Sequence, residues 1–318
     1  MVQTIQGTNQ RKDREQWFRE MEQEVKELLA HSETICQNLF ASGDLTAFLA
    51  LLSRLHQYDA RNLLLIYHRL PDARCLGAFA DWQKRYPDKS KMILNQKGIK
   101  QGIRLLAPYT LCKNGQYSLT WFCVRQYDIS QTNLSYTPPS TAPYVMDDLH
   151  LTHLAEAVRA VLSYSFQKSL LLVPKHHSEL PSQLPFRITE EAVEIRSTES
   201  ALTRLLYLTE ACAMLFAKQE SLPSSMHTLF SQCVSHCLFL IWQHPKAAPA
   251  PANSRRISSV AQDMQFPFLN ALQRAVRELE EAVACAYGIL RDEDKSDPMD
   301  GEDISALLGF QSGIDLSQ

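Results

Sequence analysis

The sequence predicts an α+β protein in which a helix-rich N-terminal domain with a small antiparallel sheet precedes a mostly helical second domain. Apolar residues between positions 14 and 57 recur with the 3.6-residue period of amphipathic helices. Segments 103–107 and 117–127 read as strands, and Lys113-Asn114-Gly115 is a turn signal between them. The proline-rich stretch 137–143, TPPSTAP, then separates two lengths of chain that can each bury a core.

Three helices are predicted at the N-terminal end, at about 14–41, 45–57 and 62–68. The dipeptide Ser42-Gly43 with Asp44 ends the first helix and caps the second. The third helix is expected to stop before Pro71, because the residue that precedes a proline disfavours the helical conformation.

The second half is predicted to be mainly helical, with short strands near its start. The predicted elements are a helix at 147–164, a strand at 170–173, one or two strands at 186–196, and helices at 199–217, 225–243 and 268–290. From Arg291 onward there are eight acidic residues against two basic ones, which is typical of a disordered tail. The predicted domains are therefore 1–145 and 146–290, followed by an acidic tail at 291–318.

The composition favours a cytoplasmic protein. Hydrophobic residues make up 45% and charged residues 21% of the 318 positions, which is ordinary for soluble proteins. No apolar run reaches 18 residues and the first residues have no apolar signal segment, so neither a membrane span nor secretion is expected. Eight cysteines lie at scattered and mostly apolar positions, which favours buried thiols in a reducing compartment.

Basic charge is concentrated between Arg54 and Arg125. This stretch has 13 Lys and Arg against 4 Asp and Glu, a local net charge of +9 in a chain whose formal net charge is −3. Aromatic residues are interleaved with the cations. Cations that follow a phosphate backbone, together with rings on which bases stack, are what a single-strand nucleic-acid surface needs. Composition alone equally allows a solvated basic face beside ordinary core aromatics.

Four phrases in and just beyond this basic stretch resemble a known family. They are HQYDARNLLLIY (56–67), PDARCLGAFADW (71–82), KGIKQGIRLLAP (97–108) and QYDISQT (126–132). Their order and approximate spacing are similar to those of the N-terminal domain of ArdC-type antirestriction proteins, which include the LtrC-like proteins of conjugative elements. The chain departs from the family at Asp59, where Ser is usual, and by an extra residue within 97–103. The resemblance implies a first domain that binds single-stranded DNA, in a protein of a mobile genetic element.

Ten residues form the candidate DNA-binding set. Lys97, Lys100 and Arg104 are expected to contact phosphates, and the residues expected to assist them are Arg61, Lys84 and Lys91. The stacking candidates are Tyr58, Tyr67 and Trp82, each of which packing could equally explain. Asn62 is expected either to bind a base or to cap the third helix.

ArdC-type proteins continue with a zincin-like metallopeptidase domain, whose H-E-x-x-H signature places two zinc-binding histidines on one helix face beside a general base. The pentapeptide here that resembles it is Thr209-Glu210-Ala211-Cys212-Ala213. Glu210 occupies the position of the base, but Thr209 and Ala213 stand where the histidines should be. The resemblance therefore implies a zincin-like fold without zinc, cofactor or catalysis, in which Glu210 is vestigial and the domain serves structure or contact with a protein partner.

Several alternatives stay open at this point. Cys212, Cys233 and Cys237 could form a different metal site, although core thiols on apolar helices are the more common arrangement. A buried Glu210 would need a partner, such as Arg204 or Thr209. The alternative functions are an active metalloprotease with non-standard ligands and a protein-interaction module that does not bind DNA.

Overall fold

The protein has the α+β fold that its sequence predicts. Its structure, a computed structural model, describes residues 3–85, 102–113, 116–132, 148–173, 186–197, 200–243, 246–248 and 254–293. The chain forms two compact units. Unit 1 comprises residues 1–139 and 252–270, and unit 2 comprises residues 140–251 and 271–318.

Helices predominate, and the strands form two small sheets. Among the described residues the helices are α1 (Gln3–Ser42), α2 (Thr46–Leu55), α3 (Ala60–Arg69), α4 (Phe79–Arg85), α5 (Asp148–Phe166), α6 (Ala201–Gln219), α7 (Ser224–Ile241), α8 (Ser254–Ser258) and α9 (Gln262–Glu293). The strands are β1 (Leu76–Gly77), β2 (Ile103–Lys113), β3 (Gln116–Asp128), β4 (Ser169–Val173), β5 (Phe186–Ile188) and β6 (Ala192–Arg196). No helix in the described ranges is both long enough and apolar enough to cross a membrane.

The sheet of unit 1 is antiparallel, in the order β1-β3-β2. Lys113 pairs with Gln116, and Ile103 pairs with Gln126, so β2 and β3 form the predicted hairpin. The two residues that join them lie outside the described residues. The sequence did not predict β1 or α4, because two and seven residues are too short to establish a period.

Residues 252–270 are a correction to the predicted domains. The sequence assigned them to the second domain, whereas they group with unit 1. Helix α8 packs against α1, and the ring of Phe268 lies edge-on to that of Phe40 at 5.9 Å. The predicted start of α9 at residue 268 is six residues too late. Pro267 resembles a helix-start signal, but it lies inside the helix, where a proline removes one backbone hydrogen bond and its ring crowds the carbonyl group four residues earlier.

Unit 2 combines a mixed sheet with three packed helices. The strand order is β4-β6-β5, in which β4 is parallel and β5 antiparallel to β6. The predicted one or two strands at 186–196 are therefore two. Helix α6 packs against both α5 and α7, and its buried side chains form much of the core of this unit.

A single side-chain amide joins α3 to β2. Asn62 is 5% exposed, and its amide donates to the carbonyl of Leu106 at 2.8 Å while its oxygen accepts from the Leu106 N–H at 2.8 Å. The same amide nitrogen donates to Asp59, whose carboxylate caps α3 by accepting from the Asn62 N–H. Asp59, not Asn62, is thus the cap of the third helix, and Asn62 completes the ladder of β2 as a strand partner would.

Asn62→Ala should lower the free energy of unfolding by about 3 kcal/mol, because it leaves the buried N–H and C=O of Leu106 without partners. Urea denaturation measures the change. Asn38→Ala, at an exposed position of α1, is the control and should change stability by less than about 0.5 kcal/mol. Equal stability of the two variants would show that the amide does not join the two elements.

Candidate nucleic-acid interface

A cationic hollow opens in unit 1 between α1, α3 and the β2–β3 hairpin. Its volume is about 350 Å³. Its lining residues are Leu28, His31, Leu65, His68, Arg69, Gly102, Ile103, Arg104 and Arg125. The three large apolar side chains are buried and form the floor, whereas the histidines and arginines are exposed around it. An apolar floor surrounded by cations suits a ligand with both an anionic and an apolar part.

The arginines of the hollow lie close together although their like charges repel one another. Arg104 and Arg125 stand directly opposite each other in the antiparallel ladder, where like charges are destabilising. Arg69 adds a third guanidinium from the last turn of α3, where the helix dipole favours a cation. Glu24 pairs with Arg104 at 3.1 Å, but among the described residues no acidic side chain pairs with Arg69 or Arg125. An anion in the hollow would relieve this repulsion.

Gly102 makes room for Arg125. A Cβ atom at position 102 would lie 2.6 Å from Cγ and Cδ of Arg125 and 2.8 Å from the ring of Tyr127. These are inner atoms of the arginine side chain, so a larger residue would have to displace the whole side chain. Glycine at this position therefore allows Arg125 to lie along the end of β2.

Two histidines complete the hollow. The rings of His31 and His68 meet edge to face with their centroids 4.7 Å apart. Partial desolvation lowers the pKa of His31, although its side chain is exposed, and the nearby His68 and Arg104 lower this pKa further. His31 is therefore mainly neutral at pH 7, and it offers a ring N–H donor to a ligand without adding to the repulsion among the arginines.

The predicted phosphate-binding residues do not all meet in this hollow. Arg104 lines it, and Lys84 is exposed on α4 but is not part of its lining. Arg61 lies elsewhere: its guanidinium is 3.3 Å from Ser32 Oγ, 3.6 Å from Glu33 and 4.3 Å from the centre of the Phe266 ring. Arg61 therefore joins α3 to α1 and to the start of α9. Lys91, Lys97 and Lys100 lie outside the described residues.

Two predicted base contacts are wrong. Trp82 is 3% exposed, and its ring packs against Gly77 while its Nε1–H donates to the carbonyl of Tyr127 at 2.9 Å. A ring in this position belongs to the core and has no free face for a base. Asn62 is equally unsuited, because its amide is buried and already bonded to Leu106 and Asp59.

The two predicted tyrosines are only partly accessible. Tyr58 is half-buried, and its hydroxyl donates to Gln126 Oε1 at 2.8 Å. Tyr67 is half-buried, and its ring lies edge-on to Phe48 at 5.8 Å. Neither residue lines the cationic hollow, and stacking by either one stays a prediction.

Trp121 is an exposed aromatic that the sequence prediction missed. It lies on β3 with 39% of its surface exposed, four residues before Arg125. Residues four apart in a strand share one face and lie about 14 Å from each other. The alternation of Trp121, Cys123 and Arg125 along the strand was the signal that could have identified it.

The pentapeptide Thr209–Ala213 in unit 2 lies on α6. Thr209 is buried, and its hydroxyl donates to the carbonyl of Leu205 at 2.8 Å, while Ala213 is fully buried. Burial raises the pKa of Glu210 from 4.5 to about 7. No hydrogen bond or ion pair joins Glu210 to Thr209 or Arg204, the two partners expected from the sequence. A carboxyl group in such surroundings favours its neutral form.

The cysteines of unit 2 are buried thiols. Burial raises the pKa of Cys212 to about 12, and it also raises the pKa values of Cys233 and Cys237 well above the ordinary value of a thiol. Zinc binds the thiolate form, which this environment disfavours. Within the described part of the chain, no group of three or more His, Cys, Asp and Glu is arranged to hold a metal ion.

No known protein-family model matches the chain, and no characterised protein or solved structure is significantly similar to it. The four sequence phrases therefore remain the basis for the resemblance to ArdC-type proteins. Two of them owe part of their pattern to folding contacts. Asn62 of the first phrase joins α3 to β2, and Asp128 of the last accepts from the N–H groups of Arg74, Cys75 and Ser130.

Glu210→Gln should stabilise the protein at neutral pH. The unfolded chain releases the Glu210 proton near pH 4.5 and the folded chain near 7, so this group lowers the free energy of unfolding as the pH rises between these values. Above pH 7 the variant should be more stable by at most about 3 kcal/mol, because a partly exposed carboxylate keeps some hydration. Thermal melting between pH 4 and 8 measures this.

Glu281→Gln, at an exposed position of α9, is the matched control and should show no such pH dependence. A metal chelator should leave the melting temperature of the wild type and both variants unchanged. Destabilisation by Glu210→Gln, or by the chelator, would instead indicate that this carboxylate supports a metal site.

Proposed function

We propose that unit 1 binds single-stranded DNA through the cationic hollow and the adjoining face of the β2–β3 hairpin. The observation that carries this proposal is the cross-strand pair Arg104–Arg125 with Arg69 beside it. Three neighbouring guanidinium groups do not stabilise the fold, because they repel one another. They are well suited to binding phosphate, because each guanidinium group presents a planar fork of hydrogen-bond donors. A local arrangement that costs stability is expected at a functional site.

A single strand suits this surface better than a duplex. The hollow is concave, and its volume suits a ligand of about the size of one nucleotide. Trp121, on the same strand as Arg125, offers a ring face to an unpaired base. The bases of a duplex already stack on one another and leave no face free. The resemblance of four phrases to ArdC-type proteins supports the same ligand and a role on a mobile genetic element.

Unit 2 is proposed to have no catalytic activity. Thr209 uses its hydroxyl within its own helix and Ala213 has no donor atom, so Glu210 lacks the two ligands that would hold a catalytic metal beside it. This unit then serves structure or contact with a protein partner. A protein-interaction module without DNA binding is the competing function, and the DNA titration below separates the two.

DNA binding should depend steeply on salt. The log–log slope for a single strand is about −0.7 for each phosphate neutralised. The combined variant Arg69→Gln, Arg104→Gln and Arg125→Gln should flatten the slope by roughly two units, which fluorescence anisotropy with a labelled single strand measures. Duplex DNA of the same sequence should bind more weakly.

The control for this experiment removes the same charge from unit 2, by Arg159→Gln, Lys218→Gln and Arg277→Gln. It should leave the slope at the wild-type value, because these side chains lie far along the chain from the hollow and do not line it. If both triple variants keep the wild-type slope, the hollow is not the phosphate site. If the wild type does not bind single strands at all, the proposed function is wrong.

The two tryptophans should behave in opposite ways. Trp121→Ala should weaken single-strand binding by about 1–3 kcal/mol, because it removes a stacking face, with little loss of stability. Trp82→Ala should lower the free energy of unfolding by about 3–5 kcal/mol, because it empties a core position and leaves the Tyr127 carbonyl without its donor. Anisotropy and urea denaturation on both variants measure this. A Trp121→Ala protein that binds like the wild type would remove Trp121 from the interface.

A further inference from the structure

The surface next to the cationic hollow is acidic on the side of α1 but not along β3 between Arg125 and Trp121. Arg104 lines both the hollow and a second depression on the side of α1. This depression is lined by Gln16, Arg19, Glu20, Gln23, Glu24, Glu27 and Arg104. Apart from Arg104, the depression thus contains three carboxylates and one guanidinium group, that of Arg19, so its lining is net acidic. One of the carboxylates, Glu24, is bonded to Arg104 at 3.1 Å.

This asymmetry restricts the path of a polyanion. A strand with one phosphate in the hollow would have to cross the depression lined by Glu20, Glu24 and Glu27 if it continued past Arg104, and these carboxylates would repel its further phosphates. In the other direction β3 leads from Arg125 towards the exposed ring of Trp121. Among the described residues, the charges therefore favour a strand that leaves the hollow along β3 over one that continues past Arg104.

The charge in the hollow also exceeds what a phosphate within a chain would neutralise. Arg104 is partly neutralised by Glu24, but Arg69 and Arg125 have no acidic partner among the described residues. A phosphodiester within a strand carries one negative charge. A phosphate monoester carries a charge of about −1.5 to −2 near pH 7 and has three strong acceptor oxygens, which matches the guanidinium groups of Arg69 and Arg125 and the ring donors of His31 and His68.

We propose that the cationic hollow is a terminal-phosphate site, which takes the phosphate monoester at one end of a single strand. This inference rests on the proposed function and specifies which part of the strand is recognised, namely its phosphorylated end. Arg69 and Arg125 bind the phosphate oxygens, the acidic face of α1 excludes a further nucleotide beyond Arg104, and the strand leaves along β3. No covalent step is involved.

The test uses the full-length protein and three oligonucleotides of one sequence: 5′-phosphorylated, 3′-phosphorylated, and hydroxyl at both ends. One phosphorylated form should bind roughly 10-fold more tightly than the unphosphorylated strand, since about 1.4 kcal/mol of extra charge-assisted hydrogen bonding gives that factor. Arg69→Gln or Arg125→Gln should reduce this preference to less than about two-fold. The matched control, Arg74→Gln at an exposed arginine outside the hollow, should keep it.

A second variant tests the acidic barrier separately. Glu20→Gln with Glu24→Gln and Glu27→Gln should tighten the binding of the unphosphorylated strand and so reduce the preference for a phosphorylated end. Equal binding of all three oligonucleotides to the wild type would overturn the terminal-phosphate site and leave single-strand binding intact. Binding of none would overturn both proposals. A nucleoside monophosphate that binds as tightly as the phosphorylated strand would overturn the assignment to a strand end and identify a free nucleotide as the ligand.

Discussion

The hydrogen bonds between the Asn62 amide and the backbone of Leu106 set the geometry on which the candidate site depends. They fix the position of α3 relative to β2, because Leu106 is the residue of β2 with which the Asn62 amide pairs. This pairing brings the end of α3 and the start of β2 together around the cationic hollow. Arg69 and His68 are on the first of these elements and Arg104 is on the second. Since the bonds are buried and form a closed set with Asp59, helix and strand cannot shift relative to each other without leaving polar groups unpaired.

The arginines are held together by the rest of unit 1 rather than by attraction for one another. The register of the β2–β3 hairpin places Arg104 opposite Arg125, and Gly102 leaves space for the Arg125 side chain. Burial of apolar side chains such as Leu28 and Leu65 beneath the hollow supplies the free energy that offsets the repulsion. The fold thus brings the positive charges together before any ligand binds, so the proposed binding of a phosphate would require little reorganisation of the backbone.

The sequence was most informative where a pattern is long. The helices corresponding to α2, α3, α5, α6 and α7 and the β2–β3 hairpin were predicted within a few residues, because each carries a clear period or turn signal. It was least informative where a side chain's role depends on tertiary contacts. The local charge identified the basic region, but only the strand register shows that Arg104 meets Arg125. Trp82 and Trp121 both occur among cations, and only burial shows that the first is core and the second is exposed.

The arginines of the cationic hollow are proposed to bind phosphate groups of a single DNA strand. The most direct measurement is the NMR signal of the arginine side-chain Nε–H groups in ¹⁵N-labelled protein during titration with a short phosphorylated single strand. The signals of Arg69, Arg104 and Arg125 should shift together and saturate at one equivalent, while that of Arg74 stays unchanged. Shifts confined to arginines outside the hollow, with these three unmoved by a strand that binds, would contradict the claim.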